Sequence, residues 1–256
     1  MSQKLDGRVA VVTGAGAGLG AAIARRFGEE GARVVVSDIN ADAAKSVAYS
    51  IDGAIACTTD VTDEAQVQQL IADTQEHFGG LHIMVPNAGV GSVQPIAEMS
   101  YADWRKTTSV NLDGVFLSIR YAAPAIIASG GGSIVTISSI TATAGSALIA
   151  PYAAAKAAVR NLTETAAAEF RAHGIRVNAV LPGFIDTELV TTAAPLFEAA
   201  LGLPEGGFDA VMAQKQGRYG TPEEVAAAVT FFASDESSWC NGSSLVLDGG
   251  FVSSLL

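Results

Sequence analysis

Short apolar, β-branched runs alternate along this chain with longer segments whose apolar residues recur at helical spacing. Residues Arg8–Thr13 (RVAVVT), Arg33–Ser37, Ala54–Thr58, Leu81–Val85, Ser133–Ser138 (SIVTIS), Ile175–Leu181 (IRVNAVL) and Leu245–Leu247 predict strands. Residues Leu19–Glu30, Ala41–Ser50 and Asp63–Phe78 predict helices, as do three segments running from Ser100 to about Ile127, Pro151 to about His173, and Thr221 to about Ala233. Local punctuation agrees. Gly31 and the pair Gly79-Gly80 stop helices, Ser100 caps one, and Pro151 suits a first turn. Thr221-Pro222-Glu223-Glu224 reads as a cap, a first-turn proline and two acids in order. The strands are near-continuously apolar, as expected of strands covered on both faces of a parallel sheet. Right-handed crossovers then give an α/β, doubly wound, Rossmann-type parallel sheet with helices on both faces, as a single domain over residues 1–256. Residues 184–219 are expected to be irregular. They are too long for a routine connection, so they predict a lid or substrate-binding segment.

Composition narrows the choice of function. Apolar residues make up 49% and charged residues 16% of the 256, too apolar for a disordered chain. The net charge of −11 repels phosphate backbones and anionic lipid, so neither nucleic acid nor a membrane surface is an expected partner. Tyr121–Ala155 carries no charge, but Gly130–Gly132 and Ser138–Thr143 break it below the ~20 residues of a membrane span. Met1–Arg8 is polar, with no apolar signal core, and Cys57 and Cys240 read as reduced thiols. Together these predict a cytoplasmic protein. His77, His82 and His173 have no metal-like spacing, so no metal site is expected. Trp104 and Trp239 read as packing residues.

The run Thr13-Gly14-Ala15-Gly16-Ala17-Gly18-Leu19-Gly20 lies between the first strand and the first helix. Glycines there allow a tight turn and close approach to a pyrophosphate, while the helix N-terminus offers free N–H groups. Asp38 ends the second strand at about the 20-residue spacing of an acid that binds an adenosine ribose. Its charge would repel a 2′-phosphate, and the neighbours Ala15, Ala17 and Ile39 supply no cation to offset that. An acid capping the next helix is the competing reading, although Asn40 could cap instead.

Tyr152 and Lys156 stand at i and i+4, one turn apart on one helix face. A phenol with a pKa near 10 is a poor base at neutral pH, and a neighbouring cation favours phenolate. Lowering that pKa by about 3 units needs about 4 kcal/mol, which a lysine and a cationic nicotinamide could supply together in a dry cleft.

With these residues in view, the whole chain resembles the short-chain dehydrogenase/reductase family in its form of about 250 residues. The glycine loop, Asp60-Val61 after the third strand, Asn87-Ala88-Gly89 after the fourth, Pro182-Gly183 with Thr187, and Asp248-Gly249-Gly250 are similar to family motifs in the family's order. Asn111, Ser139, Tyr152 and Lys156 fall at the catalytic tetrad, with Ser139 rather than Ser138 at the family's offset from the tyrosine. Pro86, where asparagine is usual, and Cys240-Asn241 depart from the pattern without touching the tetrad. The resemblance implies that Tyr152 is the general acid/base, Lys156 lowers its pKa and holds the nicotinamide ribose, and Ser139 binds the substrate oxygen. It implies that Asn111 holds a proton-relaying water and that Thr187 binds the carboxamide. It places the cofactor against Gly14, Ala17, Gly18, Leu19, Gly20, Asp38, Ile39, Asp60, Val61, Asn87, Ala88, Gly89, Tyr152, Lys156, Pro182, Gly183, Ile185 and Thr187.

The expected function is NAD(H)-dependent hydride transfer between nicotinamide and a secondary alcohol or ketone. The alternatives are a 3-oxoacyl-thioester (acyl-carrier-protein) reductase using NADPH, against whose cofactor Asp38 argues, and a non-catalytic dinucleotide-binding regulator, against which the full tetrad argues. Apolar residues in 90–95, 140–148 and 184–219, among them Val93, Leu148, Phe184 and Phe208, favour an apolar or bulky substrate. A homotetramer is expected. The family commonly pairs long helices, the helix after Pro151 is rich in alanine, and the apolar tail Phe251–Leu256 calls for a covering surface.

Overall fold

A computed structural model describes residues 3–253. Seven strands form one parallel sheet in the order β3-β2-β1-β4-β5-β6-β7. They are β1 (Val9–Thr13), β2 (Arg33–Asp38), β3 (Ile55–Thr58), β4 (Ile83–Val85), β5 (Gly132–Ile137), β6 (Ile175–Pro182) and β7 (Ser244–Leu247). The helices are α1 (Gly18–Glu29), α2 (Ala41–Tyr49), α3 (Glu64–Phe78), α4 (Tyr101–Thr108), α5 (Gly114–Ala128), α6 (Ala150–Phe170), α7 (Glu188–Leu201), α8 (Gly207–Gln216) and α9 (Pro222–Ala233). The strand order reverses between β1 and β4, the place where open α/β sheets bind ligands.

Alternate residues of each strand enter two cores. Ala10, Val12, Val34 and Val36 pack under α1, α2 and α9, with Phe27 fully buried among them. Val9, Val11 and Val35 face α3, α5 and α6 on the other side. Burial on both faces explains why the strands carry no polar alternation. The caps form as the side chains dictate. Asn40 accepts the N–H groups of Asp42 and Ala43, Asp63 those of Ala65 and Gln66, and Thr221 forms a reciprocal capping box with Glu224. Asn40 therefore caps α2, which leaves Asp38 free of that task.

Four expectations change. Residues 184–219 are not irregular: they form α7 and α8, joined through Gly202 and Gly206, both with left-handed backbone. The long helix opened by Ser100 is interrupted by a π-helical turn, Ser109–Asp113, between α4 and α5. Trp239 does not pack; it is fully exposed beside the edge strand β7. Phe251 is partly covered by its own chain, its ring lying 5.9 Å from that of Phe184 at the margin of an apolar cluster. Ser254, Leu255 and Leu256 of the apolar tail lie outside the described residues. The stretch Tyr101–Ala128 is long and apolar enough to cross a membrane, but half of it is buried within the fold.

Both departures from the family pattern are structural. Pro86 directly follows β4, which pairs with β5 over only two residues, Ile83 and Met84. Asn241 accepts the Val177 N–H and donates to the Ala167 carbonyl, and Asn178 donates to the Cys240 carbonyl, so this loop ties β6 to α6.

Candidate active site

The strand ends of β1, β2, β4, β5 and β6 bring the predicted residues to one edge of the sheet. Gly14 and Gly18 have positive φ (61° and 52°), and a side chain on Gly14 would stand 2.7 Å from the Ala88 Cα. Ala17, extended and without a side-chain cap bond, leads into α1, and Leu19 packs on the core beneath. A Cβ on Gly20 would collide with the Gly14 carbonyl, so the loop closes on its own helix. Asn87 fixes this loop. Its side-chain amide donates to the Thr13 and Gly14 carbonyls, and the Asn87 and Ala88 N–H groups donate to Thr13 Oγ1. Thr13 was missed from sequence; its signal is a lone polar side chain closing an otherwise apolar buried strand.

Asp38 Oδ2 accepts the Gly16 N–H and Oδ1 accepts the Asn40 N–H, each at 2.9 Å. A Cβ on Gly16 would stand 2.8 Å from the Ala43 Cβ and 2.9 Å from that Oδ2, so α2 and the acid together leave room only for glycine. Asp38 forms no ion pair among the described residues. Ile39 beside it is 68% exposed. Asp60 engages its own turn, accepting from the Thr62 N–H and hydroxyl, while buried Val61 packs where Gly114 leaves room. Thr187 closes the other side: its methyl carbon lies 3.6 Å from the place of a Gly18 side chain, and its hydroxyl donates to the Ile185 carbonyl. Pro182 and Ile185 are buried, and Gly183 donates to the Leu247 carbonyl.

The reacting groups stand behind Gly89. Lys156 is 3% exposed, its Nζ donates to the Ile137 carbonyl at 2.8 Å, and it lies 5.5 Å from the Tyr152 ring centre. Ser138 donates to the Lys156 carbonyl and is thereby spent on the helix backbone. Ser139 accepts the Thr141 N–H and acts on the Tyr152 phenol. Asn111 lies in the π-helical turn, a local widening that recurs at functional sites. Its amide donates to the Val90 and Thr107 carbonyls, whereas its buried Oδ1 has no partner. Both that Oδ1 and Lys156 Nζ border Gly89, at 2.8 and 3.8 Å from the place of its missing side chain.

Burial pushes Lys156 down to about 8. It also pushes the Tyr152 phenol up, with the Ser139 hydroxyl acting in the opposite sense. The expectation that Lys156 lowers the phenol is therefore not met by these side chains alone, because desolvation of the phenol outweighs the help it receives.

The glycine cradle, the unpaired acid at the β2 end and the orphaned Asn111 oxygen fit a dinucleotide laid across the β1/β4 switch point. Residues 14–252 match the family described as Enoyl-(Acyl carrier protein) reductase. The chain is 43% identical to the cis-4-hydroxycyclohexanecarboxylate dehydrogenase of Sinomonas cyclohexanicum, across 98% of this chain and 99% of that one. The chain belongs to the short-chain dehydrogenase/reductase family. Members of the family bind a nicotinamide dinucleotide. The cyclohexanol dehydrogenase of an Acinetobacter strain is 40% identical over 99% of this chain and 98% of its own. The 3-alpha-(or 20-beta)-hydroxysteroid dehydrogenase of Mycobacterium tuberculosis is 39% identical over 100% of this chain and 93% of its own. A levodione reductase crystal structure superposes with a TM-score of 0.92 at 32% identity, covering 98% of this chain and 99% of that one.

Proposed function

We propose that the protein is an NAD(H)-dependent dehydrogenase of neutral alicyclic secondary alcohols and the corresponding ketones. The protein is an oxidoreductase between secondary alcohols and ketones. The observation that carries the site assignment is the meeting of Tyr152, Ser139, Lys156 and the unsatisfied Asn111 oxygen behind Gly89. When bound, the nicotinamide accepts hydride from the alcohol carbon or returns it to the carbonyl.

In this reading Tyr152 takes the alcohol proton or gives it to the carbonyl oxygen, and Ser139 donates to that oxygen. Lys156 offsets phenolate charge and holds the ribose. Asn111 Oδ1 holds a water that carries the proton away past Lys156. The positive charge of the oxidised nicotinamide adds to that of Lys156, which supports a lowered phenol pKa in the loaded enzyme. Gly14, Ala17, Gly18, Leu19 and Gly20 hold the pyrophosphate, and Asp38 with Ile39 takes the adenosine ribose. Asp60 and Val61 flank the adenine, and Asn87, Ala88, Gly89, Pro182, Gly183, Ile185 and Thr187 hold the nicotinamide end. A carboxylate has about four lone-pair sites, so Asp38 keeps two for ribose hydroxyls after its two backbone bonds. Its uncompensated charge supports NAD(H) over NADP(H).

The substrate assignment follows from the lid, residues 184–219 of one catalytic domain. Tyr152 lies in an apolar cluster with Ile149, Phe197, Phe208, Met212 and Phe184. Around Tyr219, which packs on that cluster, the charge is negative: Asp209, Asp186 and Glu198 all act on its phenol, which donates to Asp209, while Arg218 is paired with Glu224. In this reading these acids disfavour a carboxylate on the substrate ring. The dehydrogenase names of the relatives support an alcohol rather than a thioester. A screen following NADH absorbance tests this. Cyclohexanol-type alcohols should turn over with NAD+ and exceed cis-4-hydroxycyclohexanecarboxylate; no turnover of any secondary alcohol, or preference for the acid, overturns it.

We further infer a cytoplasmic homotetramer. Two free, half-buried thiols suit a reducing compartment. An apolar groove on α5 and α6, lined by Phe116, Ile127, Leu162 and Phe170, together with exposed Trp239, offers surfaces for copies of the chain. Light scattering should give about four times the 26.1 kDa chain mass; a mass of one chain overturns the assignment.

A further inference from the structure

Gln216 is the last residue of α8, and its side chain is buried. It behaves as a strand partner. Its Oε1 accepts the Phe184 N–H at 2.9 Å, and its Nε2 donates to the Phe184 carbonyl at 2.7 Å and to the Arg218 carbonyl at 2.9 Å. A single side chain therefore satisfies both backbone groups of one residue. Among the twenty side chains only Gln and Asn carry donor and acceptor on one amide, and Gln has the longer reach.

The residue so held is placed between cofactor and substrate. Phe184 follows Pro182-Gly183, and its ring lies 5.4 Å from that of Phe208, in the cluster that contains Tyr152. Gly183 has no room for a side chain, because a Cβ there would stand 2.5 Å from Gln216 Oε1 and 2.9 Å from the Asp248 Cβ. A side chain on Gly249 would likewise collide with the Gln216 carbonyl. Three segments thus converge on Gln216: the end of β6, the end of the lid helix α8, and the turn after β7. Immediately past it Gly217 has positive φ (82°), and beyond that turn Gly220 adds two backbone bonds to the same segment, donating to the Phe184 carbonyl and accepting the Asp186 N–H, so the Gln216 amide is the link that comes from α8 itself.

We propose that Gln216 is a positioning residue that locks lid helix α8 to the Pro182–Thr187 segment, so that the substrate wall and the nicotinamide-facing wall are held as one unit. The inference rests on the hydride-transfer reading for its kinetic readout. Gln216 touches neither substrate nor the reacting groups; it acts through Phe184 and Gly183.

Two variants test it. Gln216→Met keeps the volume and removes every bond. Its KM for the alcohol and its Kd for NADH, read by fluorescence, should each rise about tenfold, while kcat changes less than about threefold. Gln216→Glu keeps the acceptor for Phe184 N–H but turns a carboxylate toward two carbonyl oxygens. Its protonated form donates again, so KM should approach the wild-type value in acid and rise with pH, whereas the wild-type KM does not follow that titration. The charged groups nearby are Asp248, held by the Gly250 and Val252 N–H groups, the Arg218–Glu224 pair, and Lys215 on α8 itself. These are common to both proteins, so the difference between the two profiles belongs to position 216.

Wild-type KM and Kd in Gln216→Met with only a lowered Tm would overturn the proposal, as would a pH-independent KM in Gln216→Glu or failure of both variants to fold. If the wild-type protein oxidises no secondary alcohol, the functional reading falls instead. The NADH Kd and the hydrogen exchange of the Phe184 amide still decide on Gln216: faster exchange and weaker binding in Gln216→Met support it, and unchanged values overturn it.

Discussion

Asp38 holds the glycine loop, and in the proposed function the same carboxylate selects the cofactor. Its two oxygens anchor the Gly16 and Asn40 N–H groups, and its charge has no ion pair among the described residues. The account predicts a clear preference for NADH over NADPH in kcat/KM on one substrate. Asp38→Asn removes the charge and keeps one acceptor. It should narrow the preference at least about tenfold, the effect of about 1.4 kcal/mol of charge repulsion, and lower NADH efficiency as well. An unchanged preference would assign selectivity elsewhere. Sequence singles out the acid by its position at a strand end, and Tyr152 and Lys156 by their i, i+4 spacing together with their place among the family's motifs. The partners were not legible. That Asp38 and Ala43 leave room only for glycine at position 16, or that Asn111 keeps an unpaired oxygen, depends on contacts between residues far apart in the chain.

At the scale of elements, strands and caps could be read because each follows from a local cause: continuous β-branched runs for buried parallel strands, and side chains that bond the first-turn N–H groups. The failures have equally local causes. In 184–219, Pro195 within α7 and the glycines at 202 and 206 mimic loop composition, although apolar residues on α7 and α8 pack together as helices do. The π-helical turn at Ser109–Asp113 has no compositional mark. His82, just before β4, illustrates a role invisible in sequence. Its Nδ1 accepts the Val9 N–H at 3.1 Å, so the ring must be neutral there, and burial together with Arg8 and Arg33 holds its pKa below the ordinary value. The unfolded chain therefore binds this proton more readily than the folded one. That contribution to stability is fully present above the unfolded pKa of about 6.5 and is lost as pH falls from there through the lower folded pKa. Denaturant melts across this range should show the decline. His82→Asn, whose side-chain oxygen can accept the same N–H without titrating, should remove that part of it; an identical decline in the variant would exclude His82 as its source.

Across the whole molecule, the sheet brings distant stretches of sequence together at one edge. The ends of β1 and β4 form the glycine cradle and Gly89, the end of β5 and the start of α6 bring Ser139, Tyr152 and Lys156, and the end of β6 carries Thr187 over Gly18. Every element of the proposed chemistry converges on the Tyr152 hydroxyl. The most direct test is the turnover of Tyr152→Phe with NAD+ and a secondary alcohol that the wild-type enzyme oxidises, measured beside NADH binding by fluorescence. The ring still packs among Ile149 and Phe208, so the account predicts near-wild-type NADH affinity and a kcat reduced at least about a hundredfold, the usual loss of a general acid/base. A variant that keeps more than about a tenth of the wild-type kcat would contradict it and would place the proton transfer on another group.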